Sequence, residues 1–145
     1  MRVRYSLTLE EAEVLVAAAH RHARSCDWKV AVAVVDDHGA PILLSRQTDA
    51  TPASVNTAIE KARSAALTGL PTKVLEAVIK ERPAVLSLGR VAVEGGLPIL
   101  FQGQRVGGIG VSGVQSDQDA AVAQAALETL HLQLDPSHPR YTSAG

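Results

Sequence analysis

Residues 28–46 read WKVAVAVVDDHGAPILLSR, and this stretch decides the fold. Val30, Val32 and Val34 alternate with Ala31, Ala33 and Val35, so in an extended chain each set lies on its own face. Both faces are apolar, which predicts a strand covered on both sides, and the smaller alanine face admits a closely packed helix. Asp37-His38-Gly39 then supplies a turn in which glycine can take a positive φ, and PILLSR returns as a second strand, completing a β-hairpin. Asp36 closes the first strand, where its carboxylate can cap the turn; as a general base it would need burial to raise its pKa. His38, in the turn itself, is expected to face solvent.

Upstream, Thr8 followed by Glu11 is a capping-box pattern, and a helix is predicted from about Leu9 to Ser25. At 100° per residue Leu9, Ala12, Leu15, Val16, Ala19, Ala23 and Cys26 share its core face. Downstream, TPASVNTAIEKARSAALTGL has proline near a helix start, Ser54 as N-cap and a stripe of Ala58, Ala62, Ala65 and Ala66. Gly69 and Pro71 end that helix, and a shorter one follows over roughly residues 72–80. Residues 81–97 read as a long loop with a brief strand at 90–93, and long loops in compact domains are often functional. PILFQ and RVGGIGVSG, joined around Gly103, make a second hairpin. Ser116 with Asp119 is expected to cap a last helix through about Leu132, with Val122, Ala126 and Leu130 on its buried face. Strands joined by tight turns give an antiparallel sheet, here of about five strands flanked by helices, which is an α+β arrangement within the α/β class. Residues 1–134 form one domain and 135–145 a C-terminal tail.

Composition narrows the function. The chain has 145 residues, 46% of them apolar and 20% charged, the balance of one folded domain. Fourteen basic and fifteen acidic side chains give a net charge of −1, so no general field draws it to nucleic acid or to an anionic membrane. One Trp, one Phe and two Tyr provide no platform for stacking bases. Neither a signal-peptide-like apolar stretch nor a membrane span is evident, which makes the cytoplasm the expected location. The single cysteine, Cys26, cannot form an internal disulfide and is expected to be a small buried apolar group.

Residues 108–113, GIGVSG, match G-x-G-x-x-G between a strand and a helix. A dinucleotide site also needs a parallel strand after that helix, ending near an acidic residue, and the chain has no room for one. Gly108 and Gly110 instead leave one face of a hairpin strand without side chains. That face either seats a helix tightly or leaves a hollow for a ligand. Around the hollow, Ser112, Gly113 and the N–H groups that start the last helix would suit an anion.

Three blocks in this order resemble a known family: VVDDHGAPILLSR, then AIEKARSAA, then GGLPILFQGQRVGGIGVSG followed by SDQDAAVAQAAL. Together they resemble the GlcG/HbpS-like domains, which also form the C-terminal domain of PduO-type adenosyltransferases. The resemblance covers about residues 9–130. It implies a profilin-like or roadblock-like fold, assembly into dimers or larger rings, and, for some relatives, heme, corrinoid or iron binding. Other relatives are suspected of enzymatic roles on small organic acids, so membership alone does not fix function.

Lys61 matches the family's KA pair and lies near the edge of the alanine stripe, where its ammonium could reach a rim, or simply snorkel to solvent. Arg46 and Asp49 match an R-x-x-D/G pattern; an internal ion pair is the plainest reading, and a guanidinium fork on a ligand carboxylate is the other. His20 and His22 are about 200° apart on the first helix, so they cannot chelate one metal together, but either could be an axial heme ligand. No other metal site is read from the sequence.

Two functions follow. The first is a binding module for a small molecule, by resemblance heme, a related tetrapyrrole or a small organic acid, held by Gly108, Gly110, Ser112, Gly113 and His20 or His22. The second is a cofactor-independent isomerase, lyase or cyclase acting on a small unsaturated acid, with Lys61, Arg46 and Asp36 as its catalytic groups. An accessory protein with symmetric alanine-rich interfaces is a third reading.

Overall fold

The computed structural model describes residues 1–134, so the tail at 135–145 lies outside the described residues. Along the chain run α1 (Leu9–Ser25), β1 (Ala31–Asp36), β2 (Pro41–Arg46), α2 (Ala53–Thr68), α3 (Thr72–Glu81), a 3-10 helix (Pro83–Leu88), β3 (Gly96–Phe101), β4 (Gln104–Ser112) and α4 (Ser116–Leu134). The two hairpins join through their inner strands into one antiparallel sheet of order β2-β1-β4-β3. Ala31 stands opposite Arg46 on one side and Ser112 on the other, and Asp36 opposite Gly107. β1 and β4 are therefore central, and residues 31–35 are fully buried on both faces.

The alternation in β1 sorts the layers. On the valine side, Val30, Val32 and Val34 join Ile109 and Val111 under α1 and α4, with Leu15, Ala19, Val122 and Leu130 closing the core. Each such valine, leucine or isoleucine contributes about 1.5–3 kcal/mol when fully buried. On the alanine side, Ala31, Ala33 and Val35 meet Ala58, Ala62 and Ala66 of α2. A side chain at Gly110 would run into the carbonyl oxygen of Ala58 and the nitrogen of Ala62, and one at Gly108 into the Ala62 carbonyl and the Ala66 nitrogen. The bare glycine face thus seats a helix, and the backbone of α2 fills the space where a ligand hollow was the alternative.

The start of α1 follows the sequence: the Glu11 N–H donates to Thr8 Oγ1 at 3.2 Å and the Thr8 N–H to Glu11 Oε2 at 2.9 Å. Other expectations are corrected. The sheet has four strands, because residues 90–93 follow the 3-10 helix without pairing to an edge. Ser54 is not an N-cap: Pro52 already has helical angles, so the serine sits inside the first turn and donates to the Thr51 carbonyl. Cys26 is exposed, just past the end of α1, and Leu9 is 47% exposed. Asp119 does not cap α4 with Ser116, for a reason given below. Among the described residues, no helix is long and apolar enough to cross a membrane.

Candidate functional site

The two histidines of α1 leave the helix on opposite sides and enter different surroundings. His20 is 6% exposed. Its Nε2 shares a hydrogen bond of 2.8 Å with Ser45 Oγ of β2, while its Nδ1 is buried with no hydrogen-bond partner within 3.5 Å among the described residues. Burial, helped by the guanidinium of Arg24 one turn along, holds the imidazole below its ordinary value, against the opposing pull of the Gln47 side chain as an acceptor. His20 is accordingly neutral at pH 7.

Beside it opens a cleft of about 340 Å³, lined by His20, Arg24, Lys29, Ser45, Arg46, Gln47, Thr48 and Asp49. Gln47 shapes the cleft by clamping the chain before β1: its N–H donates to the Val30 carbonyl at 3.1 Å and its Oε1 accepts from the Val30 N–H at 2.7 Å. Arg46 and Asp49 both line the cleft but form no ion pair, so the internal pairing expected of them is absent and the Arg46 guanidinium has no acidic partner among the described residues. The sequence pointed to Arg46 and His20 separately. Arg24 was missed, although its i,i+4 spacing from His20 puts both on one helix face.

His22 faces the other way. It is half-buried, its ring meets Trp28 edge-on at a centroid distance of 6.1 Å, and neither ring nitrogen has a hydrogen-bond partner among the described residues. With Ala18, Arg21, Ser25, Ala125 and Thr129 it lines a groove of about 280 Å³ between α1 and α4. Small side chains on both helices keep this groove open.

Lys61 is the largest fully buried side chain, 2% exposed. Its Nζ donates to Asp119 Oδ2 and to the Val111 carbonyl, each at 3.0 Å. Asp119 Oδ1 in turn accepts the Val114 N–H at 3.2 Å. Asp119 is thus drawn inward from the start of α4, which is why it cannot serve as that helix's cap. Burial pushes its carboxyl up, against the pull of Lys61 and of the Val114 N–H. The Gln115 N–H is taken by Gln118 Oε1, and Asp117 and Asp119 place negative charge in the first turn, so this helix start does not favour an anion. Ser112 is 9% exposed at the end of β4, and Gly113 lies against the Lys29 carbonyl and Val30.

Asp36 closes the β1–β2 turn: its Oδ1 accepts from the His38 N–H at 2.8 Å and the Ala40 N–H at 2.9 Å. His38 is exposed, as expected. Asp36 and Arg46 sit at opposite ends of the hairpin, about 17 Å apart along β1 at the usual rise per residue. Lys61 is sealed on the α2 side. The three residues read as a catalytic group are therefore not brought to one centre.

With this geometry in hand, the relatives are informative. The family model described as "Haem degrading protein HbpS-like" matches residues 7–128. Protein GlcG of Escherichia coli K12 is 37% identical over 114 residues, covering 77% of this chain and 85% of GlcG. A double mutant of HbpS from Streptomyces reticuli superposes with a TM-score of 0.85 at 32% identity, covering 90% of each chain. A PduOC:heme complex superposes with a TM-score of 0.80 at 28% identity, covering 86% of this chain and 95% of that one.

Proposed function

This chain belongs to the HbpS-like family, and from that premise we propose that it is a small-molecule-binding protein whose ligand is heme or a related tetrapyrrole, with His22 as the axial ligand. The single observation that carries the assignment is the contrast between the two histidines. The Nε2 of His20 is engaged by Ser45 in a cleft lined by polar residues, whereas His22 presents an imidazole whose nitrogens have no partner among the described residues, beside a groove of small side chains. A neutral imidazole at the edge of a helix is a common heme ligand, and the neighbouring Arg21 supplies a cation suited to a propionate. Bound heme would supply an iron centre whose properties its axial ligand and surroundings tune. The residues of this chain would fix the position of that iron and pack small side chains against the ring.

The groove is smaller than a tetrapyrrole and, among the described residues, its one aromatic neighbour is Trp28 against His22, so one chain offers one wall of the site. A second copy of the chain would supply the other. The heme-bound relative supports the ligand class, and the exposed apolar residues treated in the Discussion support self-assembly.

The test is titration with hemin, read by the Soret band. Wild type and His20→Ala should saturate at one hemin per one or two chains, and His22→Ala should lose the band or bind at least tenfold more weakly. A His22→Ala protein that binds like wild type would remove His22 from the site.

A further inference from the structure

We infer that the cleft beside His20 is a second binding site, separate from the tetrapyrrole groove, and that its ligand is a small dicarboxylate. Every side chain lining it is polar or charged, so it does not suit a macrocycle. Three cations, Arg24, Lys29 and Arg46, line it with one carboxylate, Asp49, and Asp27 stands beside Lys29, which leaves an excess of about one positive charge in a chain whose net charge is −1. Lys29 already has Asp27 at 3.3 Å, an exposed pair, but Arg24 and Arg46 have no acidic partner among the described residues.

Two unneutralised guanidiniums in one cleft match two carboxylates, since each planar fork can hold one carboxylate through paired N–H donors. The volume of about 340 Å³ exceeds what a single inorganic anion fills and leaves room for a short carbon chain between two carboxylates. The hydroxyls of Ser45 and Thr48 add polar partners. His20 makes the cleft wall a fixed one: its imidazole is 6% exposed and its Nε2 is held by Ser45 Oγ at 2.8 Å.

The test uses the full chain and succinate as probe, with sodium acetate and sodium chloride at matched ionic strength as controls, read by calorimetry and by thermal shift. Succinate should bind saturably and raise the melting temperature, with the controls giving no comparable shift. Arg46→Ala and Arg24→Ala should each weaken succinate binding at least tenfold. Arg63→Ala, an exposed arginine elsewhere on α2, should leave it unchanged, as should His22→Ala, so the two sites fail independently. An equal shift from chloride or acetate, or full succinate affinity in both Arg24→Ala and Arg46→Ala, would overturn the inference. Both arginines are exposed, so their variants should fold.

Discussion

Lys61 and Asp119 show how much one pair of side chains can hold. Both are 2% exposed, and between them they join α2, the end of β4 and the start of α4. Taking two charges out of water is costly, and their attraction offsets that cost only while both are present. Lys61→Met should therefore leave Asp119 buried without its partner and destabilise the fold by about 3–5 kcal/mol, read by urea denaturation. The double variant Lys61→Met/Asp119→Leu should recover more than half of the loss, because apolar groups of similar size fill the space without stranding a charge. A single variant as stable as wild type would mean the pair carries no structural weight. The sequence exposed half of this arrangement. Lys61 stood out on an alanine-rich helix, but Asp119, 58 positions later, reads locally as a helix-capping acid, and its inward turn depends on how two distant elements meet.

Among the elements, β4 and α2 depend on each other most closely. Small residues recur on both, and the α2 backbone approaches β4 so closely that a methyl group at Gly110 would collide with the Ala58 carbonyl and the Ala62 nitrogen. These are backbone atoms that cannot rotate away. Gly110→Ala should therefore cost about 3 kcal/mol, the upper end for overpacking, and lower the melting temperature by roughly 10 °C. Gly103→Ser, at a turn with nothing within 4 Å of the added atom, should cost less, its penalty coming only from the positive φ of 75°. A Gly110→Ala variant melting with wild type would contradict the close seating. The long elements were legible because valine and alanine alternate through β1 and the alanines of α2 recur at helical spacing, signals that a local window contains. The fate of the glycine face was not legible, since the pattern that invites a helix also describes a hollow. Residues 90–93 have strand-forming composition, but a strand exists only where an edge is free in the right register, and nothing in those four residues reports that.

At the scale of the molecule, the apolar surface left in water points to self-assembly. α3 buries only Thr72 and Leu75, while Val74 and Val78, one turn apart on its outer side, are 41% and 37% exposed. The 3-10 helix that follows exposes Leu86 by 58% and Leu88 by 67%, and Val93 beyond it by 44%. Scattered apolar residues on a surface are ordinary, but these five fall within residues 74–93, and a contiguous apolar patch would mark an interface. On the proposal that the chain assembles with itself, wild type should elute with a light-scattering mass of at least about twice its 15.2 kDa. Leu86→Glu/Leu88→Glu should fall to the monomer mass with an unchanged circular dichroism spectrum, because neither side chain is part of the core. If the second copy also supplies the opposite wall of the tetrapyrrole groove, the same variant should lose hemin affinity while keeping succinate affinity, since the dicarboxylate cleft is complete within one chain. A wild-type protein that is monomeric at 100 µM, or a variant that stays assembled, would place the interface elsewhere or remove it. Hemin retained in full by a monomeric variant would make the groove sufficient alone, against the volume argument that calls for a partner.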